Sequence, residues 1–333
     1  MYEMLGICLS LTGLLIITSL ASMLAAILWR LCSQAAASWV TAARARFLFF
    51  LRIAPGCAAI LCVGVLFIPA YVFNEPRHTT EVVTAKLGLL AAVSLFGIVF
   101  AFWRGIEACL VTRRLVRDWL QHGEPVQIER VTIPAFRFQH RFPVIAIVGA
   151  MRPKLFIANQ IFHSLTSEEI SAAVAHESGH LSAADNFKRW LLRVCRNYLF
   201  IVPYGRSLER AWIESAELAA DEHAAMGGAS VALNLASALV KVARLVPRGS
   251  KPAMFAGASL VAPDLGSIRT RVLRLTQLAS QSDSPRKANT RVSGLALGVC
   301  FSALMISAIL IISSSGLLGA IHSALECVVS VLQ

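Results

Sequence analysis

The fold of this chain is decided by the stretch AVAHESGHL at residues 173–181, which contains the pattern His-Glu-x-x-His. Residues four apart lie on one face of an α-helix, so the imidazoles of His176 and His180 can reach one metal ion. Glu177 follows the first histidine directly, where its carboxylate can reach a water molecule on that ion. This arrangement is typical of zinc hydrolases, and it predicts Glu177 as the general base.

The residues before this pattern favour a helix that begins near Thr166. Thr166 and Glu169 are three residues apart and form the sequence signature of a capping box. Glu168 and Glu169 occupy the first turn, where the helix dipole favours negative charge. We therefore expect both histidines to lie on one well-capped helix.

The composition predicts a membrane protein. Of the 333 residues, 56% are hydrophobic and only 15% are charged, whereas an ordinary soluble domain is about 25% charged. Apolar runs of transmembrane length cover about residues 4–29, 47–73, 87–103 and 293–313. The first run has no preceding basic residue and exceeds the apolar region of a signal peptide, so we interpret it as an uncleaved transmembrane helix. The tail at 314–333 either lies along the outer membrane interface or extends the fourth helix.

The basic residues predict the orientation in the membrane. Arg30, Arg44 and Arg46 lie between the first two runs, the loop at 74–86 is neutral, and three more arginines follow the third run at 113–117. The positive-inside rule places the N-terminus outside and the region after the third run in the cytoplasm. We therefore expect a multi-pass protein of a bacterial-type inner membrane.

Several other classes of function are disfavoured. The net charge is +12, but the basic residues flank apolar runs and no basic patch is interleaved with aromatic residues, so we expect no nucleic-acid partner. The eight cysteines include no Cys-x-x-Cys pair, which argues against a disulfide framework or a thiolate zinc site. The apolar runs contain almost no charged residues, so the ion path of a transporter is not visible.

The chain is thus predicted to be a mainly α membrane protein of about four transmembrane helices with an inserted α+β domain. Residues 1–103 contain three transmembrane helices with short loops, and residues 104–291 form the inserted cytoplasmic domain. Residues 292–333 contain the fourth helix and a short apolar tail.

Strands are predicted ahead of the histidine helix. Residues 126–134 alternate in polarity, and the apolar runs 143–149 and 154–158 indicate a β-hairpin or two adjacent strands. Their edge could hold an extended peptide by β-augmentation, or the strands could only cover the helix. After the motif, residues 189–202 form an apolar segment with interspersed arginines, either a buried core helix or a helix that rests on the inner leaflet.

A catalytic zinc site needs a third protein ligand and an open position for water. Glu217 is the leading candidate, in a helical segment predicted at 207–226. Asp221, one turn further, could accept a hydrogen bond from the N–H of a ligand imidazole and fix its tautomer. Glu214, three residues before Glu217, is the competing ligand.

Two further polar residues have two interpretations each. Asp185, five residues after His180, could orient a ligand imidazole or cap a helix end. His223 could contact an oxyanion or be an exposed polar residue. The sequence does not decide either case.

Four motifs lie in order along this region. They are Gly149-x-x-Arg152-Pro153-x-Leu155-Phe156-Ile157, Leu165-x-x-Glu168-Glu169, His176-Glu177-x-x-His180-Leu181-x-x-x-Asp185-Asn186 and Glu217-x-x-x-Asp221-Glu222. Together they resemble the membrane metallopeptidases of the BlaR/MecR type, peptidase family M56. The related peptidase family M48, with the HtpX and Ste-type CAAX proteases, shares the two metal motifs. A basic helix predicted at 268–278 is similar to an Arg-containing helix in both groups.

This resemblance implies a zincin-like metalloprotease domain that binds one Zn2+ per chain. The implied site residues are the ligands His176, His180 and Glu217, the base Glu177, and the supporting carboxylates Asp221 and Asp185. The implied activity is that of an integral-membrane zinc metalloendopeptidase that cleaves a membrane or regulatory protein. Its expected partners are membrane lipid and a membrane-associated protein or peptide substrate.

One feature of the resembling receptors is not expected here. BlaR-type receptors carry an extracellular β-lactam sensor domain after the last helix, whereas about 20 residues follow the last apolar run in this sequence. β-Lactam sensing is therefore not part of the prediction. The alternatives are an M48-type quality-control protease and a signalling or scaffold membrane protein with a degenerate protease domain.

Overall fold

The computed structural model describes residues 2–74, 83–128, 131–149, 151–198, 205–246, 265–280 and Ser323. The fourth apolar run predicted at 293–313 lies outside the described residues, as does the tail apart from Ser323. The described chain is mostly helical and contains one small mixed sheet.

Three long helices begin the chain: α1 (Tyr2–Ala36), α2 (Thr41–Asn74) and α3 (Ala85–Gln121). Each is long and apolar enough to cross a membrane, which confirms the three apolar helices predicted for this part of the chain. Helix α3 continues well beyond the end of its apolar run at Trp103. Residues 104–121 contain no proline and a single glycine, so the sequence offers no signal to end the helix there.

The sheet consists of β1 (Glu124–Val126), β2 (Ala135–Phe138), β3 (Ile145–Val148) and β4 (Lys154–Ala158). Their spatial order is β1-β2-β4-β3, with β2 parallel to β4 and the other two pairs antiparallel. Strands β3 and β4 pair with Ile147 opposite Leu155, which confirms the predicted pair of adjacent strands. Strand β3 is therefore an edge of the sheet.

The strand predicted at 126–134 is wrong. In the described residues, pairing ends with β1 and resumes only with β2, directly after Pro134. Ile128, Val131 and Ile133 are partly buried against the core of the sheet. The alternating pattern thus comes from a connecting segment that packs on the sheet without pairing, and proline lacks the N–H that a ladder requires.

Six shorter helices follow in the described residues: α4 (Asn159–Ser164), α5 (Ser167–Ser182), α6 (Asp185–Tyr198), α7 (Gly205–Ala225), α8 (Ala229–Leu245) and α9 (Leu265–Ser280). The capping box of α5 is present as predicted, since Thr166 N donates to Glu169 Oε2 at 2.9 Å and Glu169 N donates back to Thr166 Oγ1. Helix α5 packs on strand β3 and α8 packs on α5, with a shared core that includes Phe156, Ala173 and Leu239.

Helix α6 packs antiparallel along α3. Trp190 Nε1 donates to the carbonyl oxygen of Gly105 at 3.0 Å, and two turns later the Tyr198 hydroxyl lies 3.2 Å from Ser94 Oγ. Leu192, between these contacts, is 1% exposed. Residues 189–202 were predicted to form either a core helix or a helix on the inner leaflet, and the described part agrees better with the core helix. The core that it joins includes residues of the first two apolar helices.

Helix α7 packs along α2. Trp212 joins Leu48 of α2 and Trp29 of α1 in one buried cluster. Nearer the end of α7, Glu222 accepts a hydrogen bond from Thr41 Oγ1 at the start of α2. The helix that carries the third predicted ligand therefore shares a hydrophobic core with the first two apolar helices.

Candidate metal centre

Helix α5 presents His176 and His180 on one buried face, as their spacing predicts. The two residues are 0% and 5% exposed, and their rings lie edge to face with centroids 4.9 Å apart. Gly179 lets α7 approach closely, because a Cβ at this position would lie 3.0 Å from the Cα of Ala220. Gly179 weakens an isolated helix by about 1 kcal/mol relative to alanine, but it allows α7 to place the carboxylate of Glu217 near the two histidines.

Helix α7 places Glu217 beside the two histidines. Its Oε2 lies 3.7 Å from His176 Nε2, and its Oε1 lies 3.5 Å from His180 Nε2. One donor atom from each of these three buried residues lies within 4.8 Å of the others, so the group could hold a metal ion. Glu214, the competing candidate, is exposed to solvent and does not belong to this group.

The donor atoms of this group fit a divalent metal ion. The Nε2 atoms of His176 and His180 are buried and have no hydrogen-bond partner within the described part of the chain. Buried polar atoms are normally paired, because an unpaired one costs about 1–3 kcal/mol. Two imidazole nitrogens and a carboxylate oxygen form a ligand set that suits zinc and the neighbouring transition metals.

The other nitrogen of each histidine contacts an aspartate. His176 Nδ1 lies 2.8 Å from Asp221 Oδ1, and His180 Nδ1 lies 2.8 Å from Asp185 Oδ2. A carboxylate at Nδ1 keeps the proton there and leaves the lone pair of Nε2 for a metal ion. Asp185, for which the sequence left two roles open, contacts His180 and also lies in the first turn of α6.

Arg271 of α9 is a site residue that the sequence analysis did not identify. It is 2% exposed, donates from Nε and Nη2 to both oxygens of Asp221 at 2.7 Å, and places Nη1 3.1 Å from Glu217 Oε2. The sequence does contain a signal for it, since Arg271 lies in the apolar stripe between Ile268 and Leu275. An arginine in such a stripe requires a buried acidic partner.

Arg189 of α6 contacts the remaining oxygen of Glu217. Its Nη2 donates to Oε1 at 3.0 Å, and its side chain is 22% exposed. The motif spacing does not point to this residue, because the contact depends on the direction that α6 takes after α5 ends.

The surrounding charges determine which groups are ionised. Burial would raise the pKa of Glu217, but the charges of His180 and Arg271 hold it well below its usual range. Burial would also raise the pKa of Asp221, and Arg271 lowers it in the same way. Burial would lower the pKa of His180, yet Glu217 and Asp185 raise it to about 9. A metal ion must displace a proton from His180, so its binding should strengthen as the pH rises.

Glu177 is held by the edge strand of the sheet. Its buried side chain accepts a hydrogen bond at Oε2 from the Ile147 N–H at 3.2 Å. Asn186 Nδ2 donates to the carbonyl oxygen of Ile147 at 2.8 Å. Strand β3 therefore lies directly beside the candidate metal ligands. The N–H of Ile147 binds Glu177, and the carbonyl oxygen of Ile147 binds Asn186.

His223 lies beside Gly179, where α5 and α7 cross, and it is partly buried. Burial, followed by the nearby His176, lowers its pKa. An imidazole with a pKa below the ordinary value of about 6.5 is neutral at neutral pH. His223 is thus a neutral, half-buried side chain.

No protein-family model matches this chain, and a comparison with curated proteins finds no match. A functional conclusion therefore depends on the geometry of the site and on the motifs that form it.

Proposed function

We propose that this chain is an integral-membrane zinc metalloendopeptidase with a zincin-like domain. The observation that carries the proposal is the pair of buried, unpartnered Nε2 atoms of His176 and His180, which converge with Glu217. Each imidazole is oriented by an aspartate, and Glu177 follows the first histidine directly. The resemblance of the same motifs to peptidase families M56 and M48 supports this reaction.

The protein side chains supply proton transfer and orientation. Bound zinc would polarise the carbonyl group of the scissile peptide bond and lower the pKa of a water molecule. Glu177 accepts the proton of the attacking water and then donates it to the leaving amine. The Ile147 N–H donates to the Glu177 carboxylate and fixes its direction. Asp221 and Asp185 keep both imidazoles in the tautomer that binds a metal ion.

The packing of the site supports a substrate at the membrane. Glu217 lies on α7, which shares a buried cluster with α1 and α2. The arginines around the apolar runs favour a cytoplasmic site with the N-terminus outside, in a bacterial-type inner membrane, with a fourth helix at 293–313. We infer that the substrate is a membrane protein or a regulatory protein that reaches the cytoplasmic membrane surface.

Metal analysis and proteolysis of the full-length protein in detergent test the proposal. The purified protein should contain one zinc per chain and should cleave unfolded β-casein. Glu177→Gln should keep the zinc and lose activity by a factor of about 10²–10⁴, the usual contribution of a general acid–base group. Glu217→Gln should lose zinc, whereas Glu214→Gln, on the exposed side of the same helix, should keep both zinc and activity.

Two results would contradict the proposal. Full proteolysis by zinc-loaded Glu177→Gln would refute the assigned mechanism. Purified protein that binds no zinc would favour the alternative of a signalling or scaffold protein with a degenerate site. The complete set of metal donors argues against that alternative.

A further inference from the structure

Two guanidinium groups contact the single carboxylate of Glu217, and they differ in freedom. Arg271 is 2% exposed and binds both oxygens of Asp221 as well. Arg189 donates one hydrogen bond to Glu217, its Nε is buried without a partner in the described structure, and its side chain is 22% exposed. Arg271 is therefore held in one position by its hydrogen bonds to Asp221. Arg189 is partly exposed to solvent and has N–H groups that are not used in hydrogen bonds to the described part of the protein.

Arg189 binds the carboxylate that a metal ion at this site would share. Its Nη2 donates to Glu217 Oε1, which lies 3.5 Å from His180 Nε2, whereas Oε2 lies 3.7 Å from His176 Nε2 and 3.1 Å from Arg271 Nη1. A guanidinium repels a divalent cation, so a cation held by Glu217 and the two histidines would weaken the bond from Arg189. The guanidinium would then need another acceptor at the same place.

The backbone around Arg189 is fixed on two sides. Asn186, one turn earlier on α6, donates to the carbonyl oxygen of Ile147 in strand β3 at 2.8 Å. Trp190, the next residue, donates to the carbonyl oxygen of Gly105 in α3 at 3.0 Å. The backbone of Arg189 is thus held in place, so its guanidinium can move only within the reach of the side chain beside Glu217.

Other polar side chains near the site are committed elsewhere or neutral. Lys188 lies 3.4 Å from Asp185 Oδ1 and also sits over the ring of Phe49. Ser178 Oγ donates to the carbonyl oxygen of Val174 at 2.9 Å. Among the described residues, Arg189 is the cation at the donor group that combines exposure with spare donors.

We propose that Arg189 donates to the carbonyl oxygen of the scissile peptide bond and stabilises the negative charge that develops on it. This inference rests on the proposed peptidase function. The bond to Glu217 Oε1 is the resting position of the guanidinium, and the substrate carbonyl oxygen replaces that acceptor during hydrolysis.

Phosphate binding tests the role of Arg189 without requiring proteolysis. Full-length Glu177→Gln protein in detergent is loaded with Co2+, and inorganic phosphate is titrated while the visible spectrum is recorded. Adding Arg189→Gln should weaken phosphate binding at least about tenfold, because a charge-assisted hydrogen bond is lost. Adding Arg193→Gln instead, one turn further along α6, removes the same charge and should leave phosphate binding unchanged. Equal phosphate binding with and without Arg189, or none in either protein, would overturn the proposal.

Metal content separates this role from simple support of Glu217. The Arg189→Gln protein should still bind one Co2+ per chain, since Arg271 continues to hold the carboxylate. Arg189→Lys, which keeps the charge but loses the planar fork, should retain part of the phosphate affinity. Loss of the metal from Arg189→Gln would assign Arg189 to positioning Glu217 and would also overturn the proposal.

Steady-state cleavage of β-casein by the zinc protein gives the catalytic readout. Arg189→Gln should lower kcat by a factor of about 10²–10³, the usual effect of removing an oxyanion donor, with little change in KM. Guanidinium ion added to Arg189→Ala should restore part of kcat, whereas it should not affect Arg193→Ala. An unchanged kcat in Arg189→Gln would refute the proposal.

The two proposals fail in different ways. If the parent protein binds zinc but leaves casein intact, while phosphate binding still depends on Arg189, the peptidase reaction is refuted and Arg189 stands as an anion-binding residue. If casein is cleaved at the same kcat with or without Arg189, the peptidase reaction stands and the role of Arg189 is refuted.

Discussion

Each histidine of the donor group owes its orientation to one aspartate, and the two aspartates are held differently. Asp221 is buried and receives two hydrogen bonds from Arg271. Asp185 lies in the first turn of a helix and has Lys188 at 3.4 Å. Asp221 is therefore the more firmly held of the two aspartates, and we expect a change there to have the larger effect.

Asp221→Asn should weaken zinc binding by a factor of about 10–100, the usual cost of losing a partner of a ligand histidine. The amide keeps the shape of the side chain but leaves Arg271 with Glu217 as its remaining carboxylate partner at the site. Competition with a chelating dye measures the zinc affinity. Asp118→Asn, at an exposed position of α3, is the matched control and should not change it. Equal zinc affinity in Asp221→Asn and the parent protein would contradict the prediction.

Glu169 links the stability of the histidine helix to pH. The carboxylate is buried and accepts hydrogen bonds from Ser237 Oγ at 2.6 Å and from Lys241 Nζ at 2.8 Å. Burial would raise its pKa, but Lys241, Ser237 and the Thr166 N–H together lower it. A carboxyl group with a lowered pKa in the folded state stabilises the fold above its ordinary pKa, and this stabilisation is lost as the pH falls through the folded value.

Glu169→Gln should lower the free energy of unfolding by about 1 kcal/mol at neutral pH, because it removes a charged hydrogen bond. Glutamine retains the capping interaction with Thr166. Denaturant unfolding in detergent between about pH 7 and about pH 3 brackets the ordinary glutamate pKa of about 4.3. The difference from the parent protein should shrink toward the acid end, and Glu214→Gln should show no such trend. A difference independent of pH would count against the prediction.

The metal donors could be predicted at the residue scale, but their arginine partners could not. His176 and His180 are constrained by helical spacing alone, and Glu217 is constrained once its helix is recognised. Arg271 and Arg189 reach the site from helices α9 and α6, and their contacts depend on how these helices pack. Local sequence carries little information about such packing.

At the scale of secondary-structure elements, the contact between α6 and α3 depends on Gly97. A Cβ at this position would lie 2.8 Å from the carbonyl oxygen of Tyr198. Backbone atoms cannot move aside as a flexible side chain can, so any larger residue must push the end of α6 away from α3. Because α6 begins with Asp185 and carries Arg189, the displacement should also reach the metal centre.

Gly97→Ala should reduce stability by about 1–3 kcal/mol, the usual cost of overpacking, and should also lower peptidase activity. Gly64→Ala is the matched control, since the space around Gly64 in α2 is open. The unfolding midpoint in detergent and the rate of casein cleavage measure the two effects. Equal stability of the two alanine variants would show that α6 does not pack closely on α3.

Helices and strands that are marked by a pattern in their own sequence could be predicted. Helices whose position depends on the surface against which they pack could not. The capping box marks the start of α5, and the runs at 143–149 and 154–158 contain the paired strands β3 and β4. The path of α6 was not predictable, because a short amphipathic segment fits several kinds of apolar surface. The alternation of polar and apolar residues at 126–134 led to a wrong prediction. A segment that packs against a sheet shows the same alternation as a strand that is hydrogen-bonded within the sheet.

At the scale of the whole molecule, the distribution of arginines predicts the orientation of the chain in the membrane. In a variant without native cysteines, Glu3→Cys should react with an impermeant maleimide added to intact spheroplasts. Ser38→Cys, at an exposed position between α1 and α2, should react only after the membrane is permeabilised. The opposite pattern of labelling would invert the predicted topology and place the candidate metal centre outside the cytoplasm.

The buried cluster around Trp212 limits how the parts of this chain could be exchanged with parts of other proteins. A catalytic unit can be exchanged between anchors by recombination only where few contacts cross the splice point. Trp212 is 1% exposed, and the residues that share its cluster include Leu48 and Trp29 of the first two helices. A protein that begins at residue 104 would expose the apolar residues that now pack on the first two helices. Membrane helices from another protein would have to fit the shape of this apolar surface. Residues 104 onward are therefore expected to be inherited together with the first two helices.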